Sequence, residues 1–332
     1  MNNKAAQLLI DNHGRVIDYL RLAVTDRCNL RCAYCMPAEG LDWLSRKEIM
    51  SYDEMLRLCS VLIEMGIKKI RITGGEPFVR KDMLHFLTQL SQLPGLQQLN
   101  ITTNGVLTAP LMPRLKEIGI GSINLSLDTL DRRRFLAITR RDELDAVLRT
   151  LEAALKHGLP LKINAVVMDG KNIEDIVPLV TLTKELPVTV RFIEEMPFNG
   201  MGREQLGIAW DYRRILGLIS KHFNIQKIQD PPASTSLNYS IPGHTGTVGV
   251  IPAYTRSFCG TCNRIRVTPD GSVKTCLYDV GALNIKDLLR MDYSNEQLKS
   301  ALMQASRKKA ATGREAEARA ANSHPSMASI GG

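Results

Sequence analysis

The chain has no apolar run long enough to span a bilayer, so no membrane association is expected. Its first residues, MNNKAAQLLIDNHGR, lack the apolar core of a signal peptide, and a cytoplasmic location is expected. Aromatic residues make up only 5%, and no RNP-type pattern occurs. Both absences argue against a stacking platform for single strands, and no nucleic-acid partner is expected. There is no G-x-x-x-x-G-K-[ST] stretch either, so a polyphosphate would have to be held by side chains rather than by a P-loop. What remains is ordinary: 332 residues, 44% hydrophobic and 23% charged, enough for one large domain or a large and a small one.

Two features are not ordinary. The formal charge is +9, partly concentrated in RRR at 132–134, RR at 140–141 and SRKK near the end. Net charge alone reads as a solubilising surface, or as a match to an anionic partner. Seven cysteines in a chain of this type point to metal or redox chemistry rather than to disulfides.

Hydrophobic periodicity gives six strand–helix units. Strands are expected over 18–25, 68–73, 97–102, 122–128, 161–168 and 188–196, and helices over 51–66, 82–93, 109–118, 142–157 and 172–186. Ser51 and Glu54 form a capping box ahead of the apolar stripe Met55, Leu58, Cys59 and Leu62, and Gly66 closes that helix. Strands separated by helices run parallel through right-handed crossovers, as an open sheet or a partial barrel. Chemistry then belongs at the C-terminal strand edge. The polar signals do cluster there: three cysteines after the first strand, TGGEP (73–77), TTNG (102–105), SLD (126–128), Lys162 and Asn164, and EEM (194–196).

Cys28, Cys32 and Cys35 have the spacing C-x3-C-x2-C with no fourth cysteine nearby. A structural zinc site is closed by four protein ligands. A [4Fe–4S] cluster with three thiolates keeps one iron open for a small molecule. A zinc knuckle completed by a distant residue is the competing reading. Cys259, Cys262 and Cys276 form a second incomplete triad, C-x2-C-x13-C, for which His244 is a candidate fourth ligand. Cys59 lies on an apolar helical stripe and reads as an inert buried thiol. Glu76 and Asp128 fit acid–base roles or simple turn formation equally well, and no catalytic residue is assigned beyond the cysteines. Arg264 and Arg266 follow the second triad with i, i+2 spacing, so in an extended stretch they share a face suited to phosphate.

The first triad with Tyr34, followed by GGEP, resembles the radical S-adenosylmethionine superfamily. That resemblance implies a six-unit partial β/α barrel over residues 1–225 with a small C-terminal iron–sulfur domain over 226–332. It also implies S-adenosylmethionine chelated by the open iron of the first cluster, with Gly75, Ser126 and Met196 cradling the cofactor beside Tyr34. The set RLAVTDRCNLRCAYCMP, RITGGEP, TTNG, INLSLDTL, RFIEEM, FCGTCNRIRV and a terminal GG narrows this to similarity with the GTP 3′,8-cyclase family of molybdenum cofactor biosynthesis. In that family a second [4Fe–4S] cluster, here on Cys259, Cys262 and Cys276, meets the guanine of GTP. A 5′-deoxyadenosyl radical takes hydrogen from the ribose 3′ carbon, which then attacks carbon 8. The resemblance implies Arg21, Arg71, Thr102, Lys162, Arg264, Ile265 and Arg266 as GTP contacts. It further implies a flavodoxin or ferredoxin as electron donor and cyclic pyranopterin monophosphate synthase downstream, and it is compatible with a homodimer. The alternatives are another radical S-adenosylmethionine enzyme acting on a peptide, and a two-site zinc protein binding nucleic acid. Residues 305–332 are rich in Ala, Arg and Lys and poor in apolar anchors, and are expected to form a loose helix and then a flexible tail ending in Gly331 and Gly332.

Overall fold

Ser51 starts the first helix by the chemistry its sequence allows. Its Oγ accepts from Glu54 N at 3.1 Å, and the Glu54 carboxylate accepts from Ser51 N at 2.6 Å. Met55, Leu58, Cys59 and Leu62 are then buried along one face, and Gly66 follows with φ +97°. The structure is a computed structural model that describes residues 8–199, 208–320 and 325–331.

The first half alternates as expected: β1 (Tyr19–Ala23), α1 (Tyr52–Glu64), β2 (Lys69–Thr73), α2 (Met83–Ser91), β3 (Gln98–Thr103), α3 (Met112–Ile118), β4 (Ser122–Ser126), α4 (Arg132–Thr139), α5 (Leu144–Lys156), β5 (Leu161–Val167), α6 (Ile176–Glu185) and β6 (Thr189–Glu194). Helix α4 was not expected. Its apolar face is only Phe135 and Ile138, half hidden in the arginine run, and Asp131 caps it by accepting from Arg134 N at 2.8 Å.

The second half contributes α7 (Tyr212–His222), β7 (Gln226–Lys227), β8 (Leu237–Ser240), β9 (Thr247–Ile251), β10 (Arg264–Val267), β11 (Ser272–Lys274), β12 (Leu283–Asn284), α8 (Ile285–Arg290), α9 (Asn295–Arg307), α10 (Gly313–Arg319) and α11 (Met327–Ile330). It does not form a separate sheet. Among the described residues the order is β12-β11-β10-β1-β2-β3-β4-β5-β6-β9-β8-β7, twelve strands in one open sheet. Strands β1 to β6 are parallel neighbours, β10 joins β1 and β9 joins β6 in parallel, and the outer strands are antiparallel. This is an α/β partial barrel whose two flanks are both built by the C-terminal half. The sheet therefore runs unbroken past the boundary expected at residues 225–226.

Alternation sorts the side chains of each strand. Leu20, Leu22, Ile70, Ile72, Ile101, Ile123, Leu125, Ile163, Val190 and Phe192 belong to the main core with the helices. The intervening residues face the opposite, concave side. No helix among the described residues is long and apolar enough to cross a membrane.

The flexible tail is corrected by the structure. Ile330 is 2% exposed and packs with Phe198, Tyr278, Ala310 and Ala316 in a second small core. Met327 N donates to Phe198 O at 2.8 Å, and Gly331 N to Met327 O at 3.0 Å. Alanines that look like weak anchors in sequence suffice here because the partner surface is aromatic. Gly332 lies outside the described residues.

Candidate active site

The loop after β1 is shaped by its neighbours. Gly75 N donates to Thr25 O at 2.7 Å and Glu76 N to Arg27 O at 2.8 Å, so the GGEP turn zips onto the cysteine loop. A Cβ on Gly75 would sit 2.3 Å from Arg27 O, so the approach requires glycine. The end of α4 holds the other side: Arg31 N donates to Thr139 O and Ala33 N to Ile138 O, both at 2.9 Å. The Arg140 guanidinium donates to Arg31 O and Met36 O, both at 3.0 Å.

Cys28, Cys32 and Cys35 all line one cavity of about 660 Å³ on the concave face. Cys28 Sγ accepts from Leu30 N at 3.4 Å and from Asn104 Nδ2 at 3.6 Å. Burial pushes the Cys28 thiol up to about 11 and raises Cys32 and Cys35 as well, so loading iron on them as thiolates would release protons. Tyr34, Gly75, Ser126 and Met196 line the same cavity. Tyr34 bonds to Asp128, which also accepts from Val166 N at 2.8 Å and which burial lifts to about 7.

The second triad lines that cavity too, 224 positions or more downstream in sequence; Cys28 follows the end of β1 whereas Cys262 precedes the start of β10, the parallel neighbour of β1, so the triads flank opposite ends of that strand pair. Cys259 begins a single turn in which Cys262 N donates to Cys259 O at 3.2 Å. Cys276 N donates to the Asp279 carboxylate at 2.8 Å, fixing the third cysteine. Gly313 N donates to Cys259 Sγ at 3.3 Å. Burial would raise the Cys262 thiol, but Lys309 and Arg264 outweigh it and bring it down to about 7. None of the cysteines is in a disulfide.

Among the described residues no group of three or more His, Cys, Asp or Glu side chains is arranged to hold a single metal ion. A tetrahedral zinc centre needs ligands within about 2.3 Å of one point, whereas cluster thiolates each bind a different iron and stand apart. The donor set of three thiols in each triad meets the soft-ligand demand of an iron–sulfur cluster. His244 is not a fourth ligand. Its Nδ1 pairs with Thr183 Oγ1 at 2.8 Å, its ring meets Phe223 edge-on, and it does not line the cavity. Cys59 is fully buried in the main core, as expected. Glu76 has a structural role: it is buried and accepts from Thr103 Oγ1 at 2.9 Å and Asn104 N at 2.7 Å.

Between the triads the wall is cationic. In register, Arg266 lies beside Arg21 and Arg21 beside Arg71 on three adjacent strands. Thr102, Lys162 and Arg264 also line the cavity. The side chain of Ile265 does not: it is 1% exposed and points into the main core, so only its backbone is available to the site. Arg71 is held by Tyr19 Oη and Ile101 O, both at 2.8 Å, and by Ser122 Oγ at 3.3 Å. Burial, then repulsion from Arg191, Arg71 and Lys69, lowers Lys162 to about 8. Burial lowers Arg21 to about 9, with Arg266 and Arg71 adding to it.

Sequence reading missed Arg191, Lys69, Tyr19 and Asn124, all on this wall. The signal for Arg191 was present, since Thr189, Arg191 and Ile193 alternate onto the concave face as Arg264 and Arg266 do. Buried polar atoms without a protein partner gather here: Thr102 Oγ1, Asn124 Oδ1, Asn164 Oδ1, Arg191 Nε and Nη2, and Arg266 Nε. Such atoms are costly unless a ligand completes them.

Comparison with known proteins agrees with this geometry. Residues 22–183 match the radical SAM superfamily and residues 188–314 match Molybdenum Cofactor Synthesis C. A GTP 3′,8-cyclase of Geobacter sulfurreducens is 44% identical over 85% of this chain and 86% of its own length. The mitochondrial GTP 3′,8-cyclase of Arabidopsis thaliana is 42% identical over 93% of this chain and 80% of its own. Molybdenum cofactor biosynthesis protein 1 of Homo sapiens is 38% identical over 87% of this chain, which spans 46% of that longer protein. Among solved structures, SuiB of Streptococcus suis bound to S-adenosylmethionine has a TM-score of 0.61 at 16% identity, covering 87% of this chain and 68% of that one, a likeness of fold. With both halves matched and these identities sustained along nearly the whole chain, it belongs to the GTP 3′,8-cyclase family of radical S-adenosylmethionine enzymes.

Proposed function

We propose that this chain catalyses the first step of molybdenum cofactor biosynthesis, converting GTP to (8S)-3′,8-cyclo-7,8-dihydroguanosine 5′-triphosphate. Membership in the superfamily brings a [4Fe–4S] cluster and S-adenosylmethionine. Cys28, Cys32 and Cys35 would hold that cluster, and Tyr34, Gly75, Ser126 and Met196 would seat the methionine and nucleoside parts of the cofactor. Bound together, these groups supply one-electron cleavage of the sulfonium and a radical able to abstract hydrogen. Cys259, Cys262 and Cys276 would hold a second cluster across the cavity, against which the guanine is oriented.

The observation that carries the reading is the cationic wall between the two triads, with its unpartnered buried donors. Arg21, Arg71, Lys162, Arg264 and Arg266 suit a triphosphate, and Lys69 and Arg191 join them. Arginine grips phosphate oxygens through paired N–H groups. A peptide substrate has no need of so much buried positive charge, which favours the nucleotide over the peptide-modifying alternative. A cytoplasmic setting, where thiols stay reduced, and a small electron-transfer protein as donor are part of the proposal.

The test is anaerobic reconstitution with iron and sulfide, followed by GTP, S-adenosylmethionine and a strong reductant. The expected result is 5′-deoxyadenosine together with a product isomeric with GTP, since the hydrogen lost from the 3′ carbon is made up by one electron and one proton; it is separated from GTP by chromatography, and it is lost on deletion of either triad. 5′-Deoxyadenosine formation with GTP recovered unchanged would reject the substrate assignment.

A further inference from the structure

Tyr19 stands at the centre of the cationic wall and has no role in the reading above. On β1 it is paired in register with Arg264 of β10 on one side and Lys69 of β2 on the other. Arg71 Nε donates to its phenol oxygen at 2.8 Å, and Lys69 Nζ lies 4.8 Å from its ring centroid. Arg21 lies two residues along on the same face of β1. Arg266 on β10, Lys162 on β5 and Arg191 on β6 also feel its charge.

The carboxylates among the described lining residues are Asp128 and Glu194, and both are engaged elsewhere. Asp128 accepts from Val166 N at 2.8 Å, and Glu194 from Tyr212 N at 2.7 Å and from Tyr254 N and Thr255 N, each at 2.8 Å. Among the oxygen acids that line the cavity, the phenol is the one hydrogen-bonded to this group of cations, through Arg71; the Cys262 and Cys276 thiols also act on Arg266 and are the same in every variant compared.

We propose that Tyr19 is a positioning residue for the anionic end of the substrate: its phenol oxygen orients Arg71 before the substrate arrives and takes up a proton from solvent as the polyanion binds. The proposal rests on the nucleotide reading given above. Burial would raise the phenol, but the guanidinium groups of Arg71 and Arg21 outweigh it and hold it near 7, so part of the tyrosine is phenolate at neutral pH. A triphosphate placed against the same cations repels that phenolate and competes for them, which drives the group back towards an ordinary phenol of about 10. Linkage fixes the sign. If binding raises the pKa, protons are taken up on binding, and affinity falls as pH rises between the lower and the higher value. The terminal phosphate is almost fully ionised above about pH 7.5, and the onset of guanine N1 ionisation towards pH 9 is common to every variant, so the difference between variants isolates the protein's own groups. Lys162, lowered to about 8, adds proton uptake of its own and is retained in every variant compared.

The experiment is calorimetric titration of GTP into the reconstituted protein, anaerobically, between pH 7.5 and 9, in buffers of different ionisation enthalpy. Wild type is compared with Tyr19→Phe. Wild type is expected to take up more protons per GTP than the variant, and to lose about tenfold more affinity across the interval. Equal proton uptake and parallel affinity profiles overturn the proposal while leaving the nucleotide reading intact. Failure of wild type to bind GTP at any pH rejects both. A ring-fluorinated tyrosine at position 19 keeps the shape and the hydrogen bond but is more acidic, which covers the case in which Tyr19→Phe does not assemble. It is expected to move the wild-type profile to lower pH, and an unmoved profile overturns the proposal.

Discussion

Arg15 reaches Cys259 from 244 residues earlier in the chain, donating to its carbonyl at 2.8 Å. The same guanidinium donates to Ala311 O at 3.0 Å and Ala310 O at 2.7 Å, and its Nε pairs with the Asp11 carboxylate at 2.6 Å. One side chain therefore clips the N-terminal turn bridged between Ile10 and Val16, the second cysteine triad and the start of the C-terminal segment together. Asp11 is fully buried at its side chain. Removing its partner leaves that carboxylate with only the backbone N–H groups of His13 and position 15, and the lost charge-assisted bond costs on the order of 1.5–3 kcal/mol. Arg15→Ala is expected to lower the melting temperature and to retain about half the iron of wild type after reconstitution, as the first triad has no contact with Arg15. Full iron content in a destabilised variant would separate the clip from the second triad.

The two triads are expected to fail differently. Serine at Cys28, Cys32 or Cys35 replaces a soft thiolate with a poor iron ligand, and formation of 5′-deoxyadenosine should stop. Cys259→Ala, Cys262→Ala and Cys276→Ala are expected to abolish the cyclic product while some uncoupled 5′-deoxyadenosine still forms. Quantifying both products in the same reaction checks this. Wild-type cyclisation by a second-triad variant would remove that triad from the mechanism.

Arg264, Arg266 and Arg191 supply the donors of the cationic wall, and two of them carry buried N–H groups without a protein partner. Alanine at any one removes a charge-assisted contact worth about 1.5–3 kcal/mol, or roughly tenfold or more in GTP affinity. Equilibrium binding to the reconstituted variants is the measurement. Arg264→Ala with Arg266→Ala is expected to be less than additive, since adjacent cations repel each other before the ligand arrives.

The parallel strands β1 to β6 are legible because each alternates between an apolar core face and a mostly polar concave face and ends in turn chemistry. The closing flanks were not. RIRV is only four residues, and its partner is the first strand of the chain, a pairing that no local pattern encodes. In sequence helix α4 is a run of surface charge, yet its last carbonyls hold the cysteine loop. Asp128 and Glu76 looked alike in sequence. Depth and partners separate them, as one lines the cavity beside Tyr34 and the other ties a turn beneath it. The packing of the tail is hidden from local sequence for a related reason. Whether an alanine is an anchor depends on what covers it, and Phe198 and Tyr278 are far away in sequence.

Gly331 is where the corrected tail meets the site. It lines the cavity with φ +87°, and a Cβ there would sit 2.5 Å from Ala23 Cβ and 2.8 Å from Thr73 Oγ1. Both neighbours are at the strand ends from which the cysteine loop and the GGEP turn depart, and Ser326 Oγ donates to Cys35 O at 2.5 Å just upstream. The tail thus rests on the framework of the first triad. Gly331→Ala adds left-handed strain of about 1 kcal/mol and forces the tail end out of its seat. Gly119→Ala makes the matched control, since Gly119 has φ +84° with nothing within 4 Å of its virtual Cβ. The left-handed strain is common to both variants, and Gly331→Ala is expected to lose further stability as Ile330 leaves the second core. Only Gly331→Ala is expected to slow cyclisation, by tenfold or more, with iron content and GTP affinity unchanged, because an ejected tail admits water to the radical site and loosens the groups that orient it. Single-turnover product formation at matched iron content reads the difference. Equal rates in the two variants would reduce the tail to a structural strap without a part in the reaction.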